Sequence, residues 1–354
     1  VVSTFQILQP PQIPTPASVK DAIDPAIRFR LFSLGEKSRW STNVAAAEAL
    51  LDVLSSLHFE HVNSPAFGER QPESRDDNVH DEYFGIERSH GPAPEVFVQA
   101  ILRANWILFE DSWNSPFSIT STKLNILDSA LNKLLLWILG ATAAAQSSAA
   151  PRVINWLCNS GPHHSMTRWV RGHQIFAALT QGLTAAFTDL KVALQERDDI
   201  RVSVAVDLAV LLLNGSAVSL EFTGDFPSSD YTEIIRPSMT PPLVPDTFSG
   251  LLSVDHRFFI QLLREMKPLL DSMAENRPDH HSRIAAAVAA VYDSHSFVCD
   301  RLVGKCPSLM MASGSKKSGA EQIEKFKHLR LKVFQPGMPS EAAYSHAHQG
   351  EKVH

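Results

Sequence analysis

The chain of 354 residues and 39.1 kDa is 44% hydrophobic and 20% charged, which is the composition of a globular protein with ample apolar material for a buried core. A net charge of -6 and a pI near 6.2, with lysines and arginines scattered, exclude the strongly basic face of a nucleic-acid binder. The longest apolar run, Leu134 to Ala145, is interrupted by Gly140 and falls short of the roughly 20 residues that span a bilayer, and three cysteines make no disulfide framework.

No basic region followed by an apolar one opens the sequence, so a cytoplasmic protein without a membrane segment is expected. The run Gln9-Pro10-Pro11-Gln12-Ile13-Pro14-Thr15-Pro16 predicts an extended, proline-rich arm over residues 1–40, and an arm able to wrap a neighbour favours a homodimer. Ser41 or Thr42 caps a helix running to about His58, with Val44, Ala47, Leu50, Leu51, Leu54 and Leu57 at helical spacing. The polar stretch from Asn63 to Gly91 reads as a loop or lid.

Helical patterning resumes at Pro94 to Glu110 and, after the turn signal Asn114-Ser115-Pro116, from Thr122 to about Ala145. From Ser165 to Leu194 the residues Trp169, His173, Phe176, Leu179, Leu183 and Leu190 repeat at a period near 3.6, which predicts one long helix. A further helix covers Val202 to Leu213, with Asn214-Gly215 as its stop. Between Thr223 and Gly250 five prolines break the pattern, and a loop of that length leading into His256 is placed to cover a pocket.

Helices at residues 253–273 and 279–303, joined by Ala274-Glu275-Asn276-Arg277-Pro278, form an antiparallel pair. A linker over Gly304 to Ser318 and a last helix, Gly319 to Val333, lead to a polar tail over residues 336–354. The whole is an all-α chain with a single helical domain at residues 41–335 and no repeat or convincing strand pair.

The chemistry concentrates in the antiparallel pair. In Tyr292-Asp293-Ser294-His295-Ser296-Phe297-Val298-Cys299 an imidazole and a thiol stand at i and i+4, on one helix face. If His295 held a haem iron, Cys299 would lie one turn on, within reach of a vinyl group, an order inverse to the familiar C-x-x-C-H attachment. Alternatively, His295 is a buried helix histidine and Cys299 a small core hydrophobe. His256 lies early in the preceding helix, and the antiparallel pairing brings it to the same end as His295.

Together the three residues spell H-x(38)-H-x-x-x-C. The motif resembles the haem-attachment motif of the 3-methyl-tyrosine hydroxylases of saframycin-type antibiotic pathways, all-helical proteins related to tryptophan 2,3-dioxygenase. The resemblance rests on His256 to Cys299 and on the chain length. It implies a haem with His295 as iron ligand and one thioether at Cys299, and hydroxylation of 3-methyl-L-tyrosine to 3-hydroxy-5-methyl-L-tyrosine, with hydrogen peroxide as oxidant. His256 enters as the catalytic candidate, and its role stays open between second axial ligand, distal acid/base and haem-positioning group.

Arg257 and Arg236 can each pair with a haem propionate or a substrate carboxylate, or be solvated. In Arg168-Trp169-Val170-Arg171-Gly172-His173 two arginines three apart make either an amino-acid clamp for the substrate or a solvated helix face. The doublets His163-His164 and His280-His281 and the tail histidines His346, His348 and His354 supply imidazoles for zinc, without zinc-motif spacing. Other readings of the motif are a bis-histidine haem binding or electron-transfer protein, a haem-free scaffold, and a tryptophan-type haem dioxygenase.

Overall fold

The computed structural model describes residues 4–35, 40–57, 75–141, 154–245, 248, 253–304 and 319–337. Helices dominate: α1 (Pro16–Ala22), α2 (Pro25–Gly35), α3 (Asn43–Ser56), α4 (Arg75–Tyr83), α5 (Ala93–Asn114), α6 (Ser121–Ile138), α7 (Ser165–Glu196) and α8 (Asp199–Thr223), then α9 (Val254–Glu265), α10 (Lys267–Asn276), α11 (Pro278–Leu302) and α12 (Gly319–Leu331). Apart from one isolated bridge, the only sheet among the described residues is a parallel pair of three-residue strands, β1 (Phe5–Ile7) and β2 (Ile86–Arg88). The all-α expectation holds.

The long pair α7 and α8 is the spine. Arg197 takes a left-handed φ of 59° to end α7, and the Asp198 carboxylate accepts from the Arg201 backbone N–H at 3.0 Å to start α8, so the chain reverses in two residues. Three glycines let the helices approach closely. A Cβ at Gly172 would stand 2.7 Å from Thr223 Cα, and one at Gly215 would stand 2.5 Å from Ala130 Cβ on α6. Gly182 meets Leu134 of α6 in the same way. The expected stop at Asn214-Gly215 is therefore corrected: the helix runs on to Thr223, because the glycine there serves a helix crossing.

By length and composition α8 could cross a membrane, but 67% of its most apolar window is buried inside the protein. α8 packs against α6, α7 and α11, which makes it the central core helix.

Three other expectations change. The described part of the expected arm, residues 4–35, is not extended throughout: Pro16 and Pro25 open helices, where a missing N–H costs nothing. The Thr15–Ser18 capping box and Asp24, which accepts from the N–H of Ala26 at 2.8 Å, close those helix starts. Phe5, Ile7 and Leu8 are buried in the chain's own core, and the Leu8 carbonyl accepts from Gln181 at 2.7 Å and Arg88 at 2.9 Å. The stretch expected as a loop or lid over 63–91 contains α4 and β2, with residues 58–74 outside those described.

The antiparallel pair is in fact three helices. Pro268, in the first turn of α10, cannot continue the α9 ladder, so the chain bends at Met266. α10 packs on α11, whereas α9 packs on α7, and the space between α9 and α11 opens into a cavity. Residues 228–245 form short turns, including a π-helical turn at Tyr231–Ile235, and Ser238 is tied to the Tyr83 hydroxyl at 2.6 Å. The linker with Cys306, Lys316 and Lys317 and the tail with His346, His348 and His354 lie outside the described residues.

Because backbone faces Gly172, the crossing cannot relax by a rotamer change. Gly172→Ala is expected to cost about 1–3 kcal/mol by overpacking, read as a lower denaturant midpoint; an unchanged midpoint would contradict the close crossing.

Candidate functional site

A cavity of about 310 Å³ lies between α7, α8, α9, α11 and α12, with Tyr231, Arg236, Met239 and Phe248 lining one side. Its walls are mostly apolar, with Phe176, Leu183, Leu213, Leu220, Phe259 and Leu263 among them. Four imidazoles break that surface: His80 from α4, His173 from α7, His256 from α9 and His295 from α11, with Cys299 one turn beyond His295. The sequence-predicted His256, His295 and Cys299 are thus brought to one site. Sequence reasoning misses His80 and Arg330, and it finds His173 only as a residue of the α7 stripe beside the arginine pair.

Each imidazole is fixed differently. His256 sits in the first turn of α9, whose N-cap Ser253 accepts from the His256 N–H at 3.4 Å. The preceding Asp255 is buried, with Oδ2 2.7 Å from Arg88 and Oδ1 accepting from Gln181 at 2.9 Å. Burial, then the positive charge of Arg330 and the neighbouring His295 and His80, push the His256 pKa down to about 4. His295 is pushed down to about 4 by burial alone. His173 donates from Nδ1 to the Trp169 carbonyl at 2.7 Å and stacks on Phe84 at 3.8 Å; burial takes it down to about 3.

His80 turns Nδ1 toward Asp81 Oδ1 at 3.4 Å, and Asp81 is gripped by Arg88 at 2.8 and 3.1 Å. Burial raises the Asp81 carboxyl, but the hydrogen bonds from His80 and Arg88 outweigh it and leave the pKa below its ordinary value. Burial pushes the Cys299 thiol up to about 11, so it stays S–H at neutral pH. Tyr231, on the covering segment, is pushed up to about 12 by burial against the opposing influence of Arg236.

The arginines divide. Arg236 and Arg330 line the cavity, Arg236 close to Tyr231 and Arg330 close to Tyr292 and His256. Arg257 is exposed and off the cavity wall. Arg168 is neither clamp nor solvated: only 1% exposed, its guanidinium donates to Asp111 Oδ2 at 2.7 Å and to the carbonyls of Pro116, Asp225 and Ser115 at 2.5, 2.8 and 3.0 Å. Arg171 pairs with Glu110 and lies 5.8 Å over the Trp106 ring, also away from the cavity. With their donors committed to these partners, Arg168 and Arg171 join helices instead of presenting a clamp to the cavity. Among the described residues no three His, Cys, Asp or Glu side chains gather to hold a metal ion, so the zinc alternative gains no site there.

A family model described as SfmD 3-methyl-L-tyrosine peroxygenase matches residues 6–282. The chain belongs to this family. The matched region takes in His80, His173 and His256 and ends before His295 and Cys299. A 3-methyl-L-tyrosine peroxygenase of Streptomyces lavendulae is 29% identical over 283 residues, 79% of this chain and 76% of that protein. The crystal structure of SfmD reduced by soaking with sodium hydrosulfite shares the fold, with a TM-score of 0.67 and 24% identity over 83% of this chain and 97% of the other. The chain is accordingly an enzyme, an oxidoreductase of the peroxygenase family.

The buried histidines set a pH dependence of known sign. Folded values of about 4 for His256 and His295 and about 3 for His173 lie below the ordinary value, which is about 6.5. Below 6.5 the unfolded chain therefore binds more protons than the folded one. Stability is full above about pH 6.5 and is lost as pH falls toward the folded values. Thermal midpoints measured from pH 7 down to pH 4.5 are expected to fall steeply, and less steeply in His173→Gln; midpoints independent of pH would contradict the neutral, buried imidazoles.

Proposed function

We propose that this enzyme is a haem-dependent hydroxylase that converts 3-methyl-L-tyrosine and hydrogen peroxide to 3-hydroxy-5-methyl-L-tyrosine and water, in the biosynthesis of a tetrahydroisoquinoline antibiotic. The observation that carries the reading is the His295–Cys299 pair on the wall of an apolar cavity that His256 also lines, in a chain of the peroxygenase family. A cytoplasmic setting belongs to the same proposal.

The residues fit a haem. His295 is a neutral imidazole, the form that ligates iron, and stands among apolar walls suited to a porphyrin face. Cys299 is a protonated thiol one helical turn away, so its S–H can add across one vinyl group, sulfur to one carbon and hydrogen to the other. Arg236 and Arg330 supply guanidiniums for carboxylates, those of propionates or of the amino acid. When bound, the haem supplies the redox-active iron that activates peroxide for oxygen insertion into the ring.

The chain's own residues do the rest. His256, neutral at working pH, has a lone pair able to accept a peroxide proton and return it to the departing oxygen. A positioned proton carrier of this kind contributes about 10²- to 10⁴-fold. Phe176, Leu183 and Phe259 exclude water and leave an apolar slot for an aromatic ring, while the turns that carry Tyr231, Arg236 and Met239, tied down by the Tyr83–Ser238 bond, cover it. The peroxygenase relationship favours this reading over a bis-histidine electron-transfer protein and over an indole-opening dioxygenase.

Purified protein supplied with 3-methyl-L-tyrosine and peroxide is expected to form a product one oxygen heavier; no such product from haem-loaded protein would overturn the reading. His295→Ala is expected to lower haem occupancy, whereas Cys299→Ala keeps a haem that organic solvent extracts. Equal, undisturbed retention in both variants would contradict the roles given to them.

A further inference from the structure

Among the four cavity imidazoles, His80 is set apart by what stands behind it. It is the one with a carboxylate within ion-pair reach among the described residues, Asp81 at 3.4 Å. His173 is backed by a neutral carbonyl, and the groups that bear on His256 are cationic or imidazole. Asp81 belongs to a buried chain of charges. Arg88 holds Asp81 at 2.8 Å and Asp255 at 2.7 Å, and Gln181 closes the set on Asp255 at 2.9 Å. Two carboxylates face one guanidinium there, and the imidazole beside Asp81 is His80.

The orientation of the ring is equally defined. Phe84 meets it edge-on at 4.9 Å and Phe248 stacks at 6.3 Å, which holds the plane. With Nδ1–H directed at Asp81, Nε2 carries the lone pair; it makes no hydrogen bond among the described residues, and the ring lies on the cavity wall. The groups that face His80 are Asp81 on its own helix, Arg88 on β2, His173 on α7 and His256 on α9. A proton taken up at Nε2 leaves an imidazolium whose Nδ1–H faces the Asp81 carboxylate.

We propose that His80, backed by Asp81, is the base that takes the phenolic proton of the aromatic substrate. The inference rests on the hydroxylase reading and gives it a base separate from the residues assigned to the haem. In the step the phenolic O–H bond breaks and an Nε2–H bond forms, leaving a phenolate and an imidazolium that faces Asp81. The proton returns to the phenolate oxygen of the hydroxylated product, while both hydrogens of peroxide leave in the water. A phenolate is more electron-rich than a phenol at the ortho carbon, the position where oxygen enters.

The test uses holoprotein and a ring-fluorinated tyrosine, whose hydroxyl is more acidic, as a bound probe without peroxide. The phenolate absorption of the bound probe is followed against pH in wild type, His80→Gln and Asp81→Asn, with the haem spectrum as a check on cofactor and fold. In wild type the bound probe is expected to ionise at lower pH than the free probe, and His80→Gln is expected to abolish that shift. With peroxide, His80→Gln should lower kcat for 3-methyl-L-tyrosine by about 10²-fold or more, with much of the loss relieved on the fluorinated substrate at a pH where it is already ionised. Asp81→Asn should show the same pattern in weaker form; since Asp81 also pairs Arg88, the His80→Gln result decides if that variant fails to fold. A probe that binds but ionises alike in wild type and His80→Gln overturns the inference and leaves the hydroxylase reading standing. A probe that does not bind wild type overturns both.

Discussion

An imidazole taken out of water gives up its proton unless a negative charge compensates, and the cavity applies this rule to several side chains at once. His173, His256 and His295 are buried without a compensating carboxylate, and all three are held neutral at physiological pH. Neutral imidazole is the form that binds iron and the form that accepts a proton. The same burial keeps the Cys299 thiol protonated. His80 is set apart by its contacts: Asp81 stands beside it, held by Arg88, which also holds Asp255.

The scaffold exists to keep that cavity dry and in register. Close crossings at Gly172, Gly182 and Gly215 bring α6, α7 and α8 into backbone proximity, and Arg168 ties the start of α7 to Asp111 and to the loop carbonyls of Ser115, Pro116 and Asp225. That staple is buried and fully hydrogen-bonded, so breaking it would strand a charge, which costs several kcal/mol by the usual reckoning for buried pairs. On the other side α9 packs on α7 and α11 on α8, and because Pro268 ends α9 and starts α10, which packs on α11, the cavity opens between α9 and α11.

Much of this is legible in the sequence where one periodicity governs a segment. The α7 stripe from Trp169 to Leu190 specifies a single long helix, and the i, i+4 spacing of His295 and Cys299 places both on one face whatever the helix packs against. A simple hairpin predicts the approach of His256 to His295; they share a cavity, but across a gap between helices. What escapes is set by contacts far apart in sequence. α4 has a polar buried face, with His80 and Asp81 inward, and its partner Arg88 lies on a strand paired with the N-terminal residues, so no apolar period marks it. Arg168 looks like any helix arginine because its carboxylate partner Asp111 is 57 positions away. Gly215 has the signature of a helix stop and the function of a crossing, a distinction that depends on Ala130.

The family match ends at residue 282, so the iron ligand and the thioether assigned to His295 and Cys299 rest on the helix geometry and the motif. The intact mass of the denatured, purified protein tests that assignment most directly. A polypeptide heavier than the chain by one haem, and reduced to the bare chain mass by Cys299→Ala, is the result the account predicts. A wild-type protein that carries haem while folded yet shows only the bare chain mass after denaturation would contradict the covalent tether, and a protein that never takes up haem would remove the account's foundation.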